Sequence, residues 1–163
     1  MKRFHILMIL VMLFNIVHSA NAADTTEFNV RLQQPSCKIN VIDTYNFSTL
    51  AKGVDKHSPF DVVILCDANV RTTLVASVVK GNIKPDNQNM EFLIRGTSVP
   101  NGSLLRLEDE KGTAIYITGK DKDSFCTGST VNRKCTIIPV TTVSWGNARA
   151  EVEAVIALKI IYI

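Results

Sequence analysis

The chain has 163 residues, 46% hydrophobic and 20% charged, which fits a single domain and excludes a disordered or low-complexity polymer. Eight Gly and five Pro exclude a collagen-like or proline-rich chain. The formal net charge is +3, and setting aside Lys2 and Arg3 leaves 16 basic against 15 acidic side chains, no electrostatic footprint for nucleic acid.

The first segment reads as a secretory signal peptide. Lys2 and Arg3 form a basic start, Ile6 to Val17 is apolar except for Asn15, and Ala20-Asn21-Ala22 is a small-x-small cleavage site. The apolar run is too short to span a bilayer. Cleavage is expected after Ala22, which makes 1–22 the signal and exports the rest. Thr26, Phe28, Val30 and Leu32 then alternate with polar residues, as a strand with one apolar face would, before Pro35-Ser36-Cys37.

From residue 36 onward, period-two alternation recurs and no stretch sustains a helical period. Cys37, Ile39 and Val41 share a face; so do Phe60, Val62, Ile64 and Cys66; so do Leu74, Ala76 and Val78, and Met90, Phe92 and Ile94. Leu105 and Leu107 precede an Asp-Glu-Lys-Gly turn at 109–112, and Ala114 and Tyr116 follow it, which makes a hairpin. Ile137 to Trp145 is rich in β-branched residues, and its Pro139 argues for a sheet edge or a strand start. The last strand is expected to run unbroken from Val152, with Val152, Ala154, Ile156, Leu158, Ile160 and Tyr162 on one face. The other face turns from Glu151 and Glu153 to Ile161 and Ile163, so the strand ends apolar on both sides, an aggregation hazard unless something covers it. Short strands with turns between them predict an all-β sandwich or barrel.

All four cysteines (Cys37, Cys66, Cys126 and Cys135) lie beyond the signal, and an exported chain meets an oxidising compartment. No C-x-x-C pair exists and His57 is the one His after the signal, which disfavours zinc. Four cysteines allow three disulfide connectivities. The simplest pairs Cys37 with Cys66 and Cys126 with Cys135. No metal, cofactor or catalytic constellation is expected: G-x-S-x-G, H-E-x-x-H and phosphate-loop patterns are absent, and Glu108-Asp109-Glu110 reads as a solvated turn.

In order, these pieces resemble the pilin subunits of bacterial chaperone–usher fimbriae. The resemblance rests on Pro35-Ser36-Cys37, on Asn46-Phe47-Ser48-Thr49-Leu50 (with Ser48 at a usual Gly), and on Phe60-Asp61-Val62-Val63-Ile64-Leu65-Cys66. It continues through Gly102-Ser103-Leu104-Leu105-Arg106-Leu107-Glu108-Asp109-Glu110-Lys111-Gly112 to the alternating end Ala154–Ile163 with its penultimate aromatic. It implies an immunoglobulin-like sandwich, 36–163, lacking its final strand and completed by a donor strand from a partner. It implies a periplasmic chaperone bound along Val152, Ala154, Ile156, Leu158, Ile160 and Tyr162, an outer-membrane usher, and neighbouring pilin subunits as partners. Residues 23–35 would be the extension, donating Thr26, Phe28, Val30 and Leu32. The product would be a fimbrium on the bacterial surface contributing to adhesion.

Three departures from the family pattern point to a minor subunit: Ala150 where Gly is usual, no Gly between Ala23 and Leu32, and the added Cys126 and Cys135. Two other roles within the resemblance are a single-domain adhesin and a fibre-terminating subunit. For an adhesin, a host receptor would meet the Cys126–Cys135 loop, where Lys120, Lys122, Arg133 and Lys134 gather.

Overall fold

The structure, a computed structural model, describes residues 35–147 and 149–163. The expected signal peptide and the donor residues Thr26, Phe28, Val30 and Leu32 lie outside the described residues. The strands are β1 (Cys37–Asn40), β2 (Gly53–Lys56), β3 (Phe60–Cys66), β4 (Thr72–Lys80), β5 (Asn82–Ile83), β6 (Asn89–Ile94), β7 (Pro100–Asp109), β8 (Phe125–Gly128), β9 (Asn132–Val143), β10 (Val152–Glu153) and β11 (Val155–Tyr162). The larger sheet has the order β1-β3-β9-β7-β6-β10, with β2 on β9 and β5 on β6; the smaller has the order β11-β4-β8. Every pairing is antiparallel.

The alternating faces meet between the sheets. Val62 and Ile64 of β3, Leu74 and Ala76 of β4, Met90 and Phe92 of β6, Leu105 and Leu107 of β7 and Ile137 of β9 form one core. Phe47 reaches this core from the loop before β2, its ring 5.8 Å from Phe92 and 4.9 Å from His57. Ser48, next to it, holds φ at 54° in the left-handed region, which explains why Gly suits the position. Ser48→Gly is therefore expected to raise stability by about 0.5–1 kcal/mol, the released backbone strain less Gly's extra unfolded-state freedom. Urea unfolding of the two proteins checks this.

Four expectations need correction. Pro139 is neither at an edge nor at a strand start: it sits inside β9, between β3 and β7. Two local features make room for it. Along one flank of β9, β3 pairs as far as Ile137 and β2 takes over at Val140, so the Pro ring falls in the gap between partners. On the other flank Leu107 opposes Pro139, but the Leu107 carbonyl accepts from Ile115 N–H, so β7 asks nothing of the missing proline donor. The Pro139 carbonyl accepts from His57 N–H across that gap at 2.9 Å.

The hairpin expected after the 109–112 turn is vestigial, a single bridge between Glu108 and Ala114. Ile115 and Ile117 are buried, whereas Tyr116 is exposed. The segment leaves β7 after that bridge and reaches β4 through a bridge from Thr118 to Ser77. It crosses between sheets and so does not run on as a hairpin's return arm. The last strand is likewise broken at Ala154: β10 pairs with β6 in one sheet and β11 with β4 in the other, with a bulge at Val155/Ile156.

The expected solvated turn at 108–110 is also wrong for Glu108, which lies on β7, is 3% exposed and accepts from Lys56 Nζ at 2.7 Å and Arg106 Nη2 at 2.5 Å. The Lys56 hydrogen bond, supported by Arg106, holds its carboxyl below the ordinary value despite burial. A depressed folded-state value stabilises the fold above the unfolded value, near 4.5, and that stabilisation is lost as pH falls below it. Glu108→Gln is expected to cost about 1–2 kcal/mol at neutral pH and to make the acid-side decline shallower. Denaturant midpoints at neutral and acid pH measure both effects.

Candidate strand-acceptor groove

The two sheets close unevenly. Two inward side chains of β4 are fully buried, Leu74 at 0% and Ala76 at 1% exposed, and Val78 after them is half-buried. Those of its neighbour β11, Ile156, Leu158 and Ile160, pack on the same core yet stay half-buried. The same contrast separates β3 from β1: Ile64 is at 0%, while Ile39, opposite it, is half-buried. Among the described residues, β1 and β11 each have a hydrogen-bonded neighbour on one side only. Among the described residues, no strand covers the core along the line between these two edges. Because β1 runs against β3, β11 runs against β4, and the chain reverses between β3 and β4, the two lips of this groove are antiparallel.

The backbone directions can be read from the bonds made on the far sides. Val78 N–H donates to the Ile117 carbonyl, and the Ala76 carbonyl accepts from Gly119 N–H, both away from β11. Ile156 and Leu158, opposite these residues, are therefore in non-hydrogen-bonded pairs. By alternation, the N–H and C=O of Ile156, Leu158, Ile160 and Tyr162 turn to the free edge of β11. On β1, Cys66 N–H donates to the Val131 carbonyl and Asp67 N–H to the Ser36 carbonyl. Cys37 and Ile39 therefore turn their backbone groups to the free edge of β1. The residues that offer apolar side chains to the groove also turn their backbone groups toward it, as an added strand would require.

Of the residues expected on a partner-binding face, Ile156, Leu158 and Ile160 line β11 inward. Val152 and Ala154 also pack on the core, but Val152 belongs to the other sheet and Ala154 lies at the break. Tyr162 is 50% exposed, and its hydroxyl accepts from Cys37 N–H at 2.9 Å. A disulfide joins Cys37 on β1 to Cys66 on β3, Cα to Cα 4.0 Å. A second joins Cys126 on β8 to Cys135 on β9 and so links the two sheets, Cα to Cα 6.1 Å. Sequence reasoning missed the Tyr162–Cys37 bond, because nothing in the alternation announces a contact between residues 125 apart.

The basic cluster near the second disulfide is not a free surface. Arg133 Nη2 donates to the Thr72 carbonyl at 3.2 Å and Thr72 Oγ1 at 2.9 Å, and burial lowers its pKa. Its side chain passes so close beneath Gly128 that a Cβ there would lie 2.8 Å from Arg133 Cδ. Lys134 pairs with Asp61 at 3.2 Å. Only Lys120 and Lys122 of the four stand exposed without an ion pair among the described residues.

No family model matches the chain, and no curated protein matches it by sequence. Solved structures do match. One is a subunit from the structure of a chaperone–usher pilus that addresses rod uncoiling: 14% identity, 87% of this chain and 96% of that one, TM-score 0.58. Another is PapA, the P pilus rod subunit: 15% identity, 85% of this chain and 99% of that one, TM-score 0.57. The chain therefore has the immunoglobulin-like all-β fold of chaperone–usher pilus subunits.

Proposed function

We propose that this chain is a structural, non-catalytic subunit of a bacterial chaperone–usher fimbria, contributing to cell adhesion. Its groove is filled first by a strand of a periplasmic chaperone. At the outer-membrane usher that strand is replaced by the N-terminal extension of the next subunit. Residues 23–35 of this chain, through Thr26, Phe28, Val30 and Leu32, are the donor to its own neighbour. The route is export to the periplasm after removal of 1–22, and then assembly on the cell surface. The observation that carries the reading is the burial contrast between β11 and β4: Leu158 and Ile160 are half-open, while Ala76 and Leu74 opposite them are sealed.

Magnitudes agree with a need for a partner. A missing strand bearing about five apolar side chains withdraws roughly 8–15 kcal/mol of burial. That matches the whole stability of a typical domain, about 5–15 kcal/mol. Such a subunit is marginal alone and strongly stabilised by any strand that fits. Fold likeness to pilus subunits supports the same reading, whereas the minor-subunit position rests on the sequence departures alone. With Arg133 and Lys134 already engaged, a cationic receptor surface has little support.

Co-expression with candidate periplasmic chaperones, followed by mass analysis of what co-purifies, tests the proposal. A one-to-one complex is expected. A subunit that accumulates, folded and monomeric, with no chaperone present would contradict it.

A further inference from the structure

The groove has two unlike ends. At one end the lips are tied: Tyr162, on β11, accepts a hydrogen bond from Cys37 N–H, at the start of β1. That N–H points to the free edge, so it is the first donor of β1 that an incoming strand would meet there. Tyr162 already occupies it. Just behind it, the Cys37–Cys66 disulfide fixes β1 to β3, and Ile163 N–H donates to the Arg71 carbonyl, fixing the chain beyond Tyr162 to the loop before β4. Both members of the tie are therefore anchored from behind. Beyond Cys37 the next outward-facing backbone groups on β1 belong to Ile39, and those on β11 to Ile160; these have no partner strand among the described residues.

We propose that the Tyr162 hydroxyl is a register stop: it closes the Cys37 end of the groove, so that a strand entering it is halted at Ile39 and Ile160 and admitted in one alignment. The inference rests on the strand-acceptor reading above, with residues 23–34 of a second copy of this chain as the occupant. Such a stop has work to do here. A slip of two residues along a strand keeps the same face inward, so side-chain alternation alone cannot reject it. The donor's alternating run, Thr26, Phe28, Val30 and Leu32, contains no Gly that would mark one alignment through a closer backbone approach. A blocked end does.

The test uses the full chain purified with its chaperone. A synthetic peptide of residues 23–34, with a photoreactive benzophenone side chain replacing Phe28, displaces the chaperone, and the cross-linked position is mapped. Wild type is expected to give one position along β11. Tyr162→Phe, which keeps the ring and loses the hydroxyl, is expected to add a second position displaced by two residues toward Tyr162. In the same complexes, exchange of the Cys37 amide is expected to quicken about fivefold in Tyr162→Phe, the loss of one ordinary hydrogen bond. A single unchanged cross-link position, or unchanged Cys37 exchange, in Tyr162→Phe would overturn the register stop and leave the groove standing. A peptide that fails to join even the wild type would bring down the strand-acceptor reading and the stop with it.

Discussion

Ile160→Asp is expected to abolish the chaperone complex and with it the periplasmic yield of the subunit. Ile160 lies opposite Leu74, which is 0% exposed, and packs on the core from the open lip of the groove. A strand laid over it would seal a carboxylate among apolar side chains with no cation on β11 nearer than the outward-facing Lys159. An unpaired buried charge cannot be solvated there, and the cost is at least about 3 kcal/mol, more than a hundredfold in binding. Ile160→Val removes one methyl group and is expected to cost only about 0.5–1.5 kcal/mol. Quantifying the chaperone complex for both variants separates loss of groove chemistry from simple loss of bulk.

Loss of Cys37 ranks second. Its disulfide closes a separation of 29 residues, against 9 for the Cys126–Cys135 bond. On chain-entropy grounds the longer closure contributes about 3.6 kcal/mol and the shorter about 2.7 kcal/mol. The location widens the difference. Cys37 belongs to β1, a lip of the groove with one hydrogen-bonded neighbour among the described residues, and its N–H is the one that Tyr162 holds. Without the disulfide, β1 is held to the larger sheet by its four-residue pairing with β3 and the Ser36–Asp67 hydrogen bonds just before it. Cys126 lies on β8, and β9, which carries its partner, is secured by β2, β3 and β7. Cys37→Ser is therefore expected to lower periplasmic accumulation more than Cys126→Ser does, and immunoblots of periplasmic extracts check the order.

The long core strands were legible because their inward residues keep strict alternation: Val62, Ile64 and Cys66, then Met90 and Phe92, then Leu105 and Leu107. Three short strands were not. Gly53–Lys56 is exposed throughout, Asn82–Ile83 is two residues long, and Phe125–Gly128 holds Cys126 at a φ of 55°, so none carries a readable face. The sheet switches at Ala154 and at 114–118 escaped for a different reason. Alternation reports which side faces the core, but a sandwich has a sheet on each side of its core, and a strand crossing from one to the other keeps apolar residues inward throughout. Pro139 misled because a proline is judged by the donor it lacks, and here a gap between β3 and β2 leaves no acceptor waiting for one. The groove itself was half legible. The sequence marks Ile156, Leu158 and Ile160 as apolar and in step, while their incomplete burial is a property of the assembled sandwich.

The central claim, that the sandwich is open along β1 and β11 and completed by a strand from outside, has a direct thermal test. The subunit lacking residues 23–34, released from its chaperone, is melted alone, with a peptide of those residues, and with a scrambled peptide of the same composition. At a thousandfold excess over its dissociation constant, a bound strand adds about 4 kcal/mol. For a domain of this size that is a rise in melting temperature of about 10–20 °C. Such a rise, with the native-order peptide only, from a low or absent transition in the bare subunit is the predicted result. A bare subunit that melts cooperatively in the range of ordinary self-contained domains, with neither peptide moving the transition, would contradict the account.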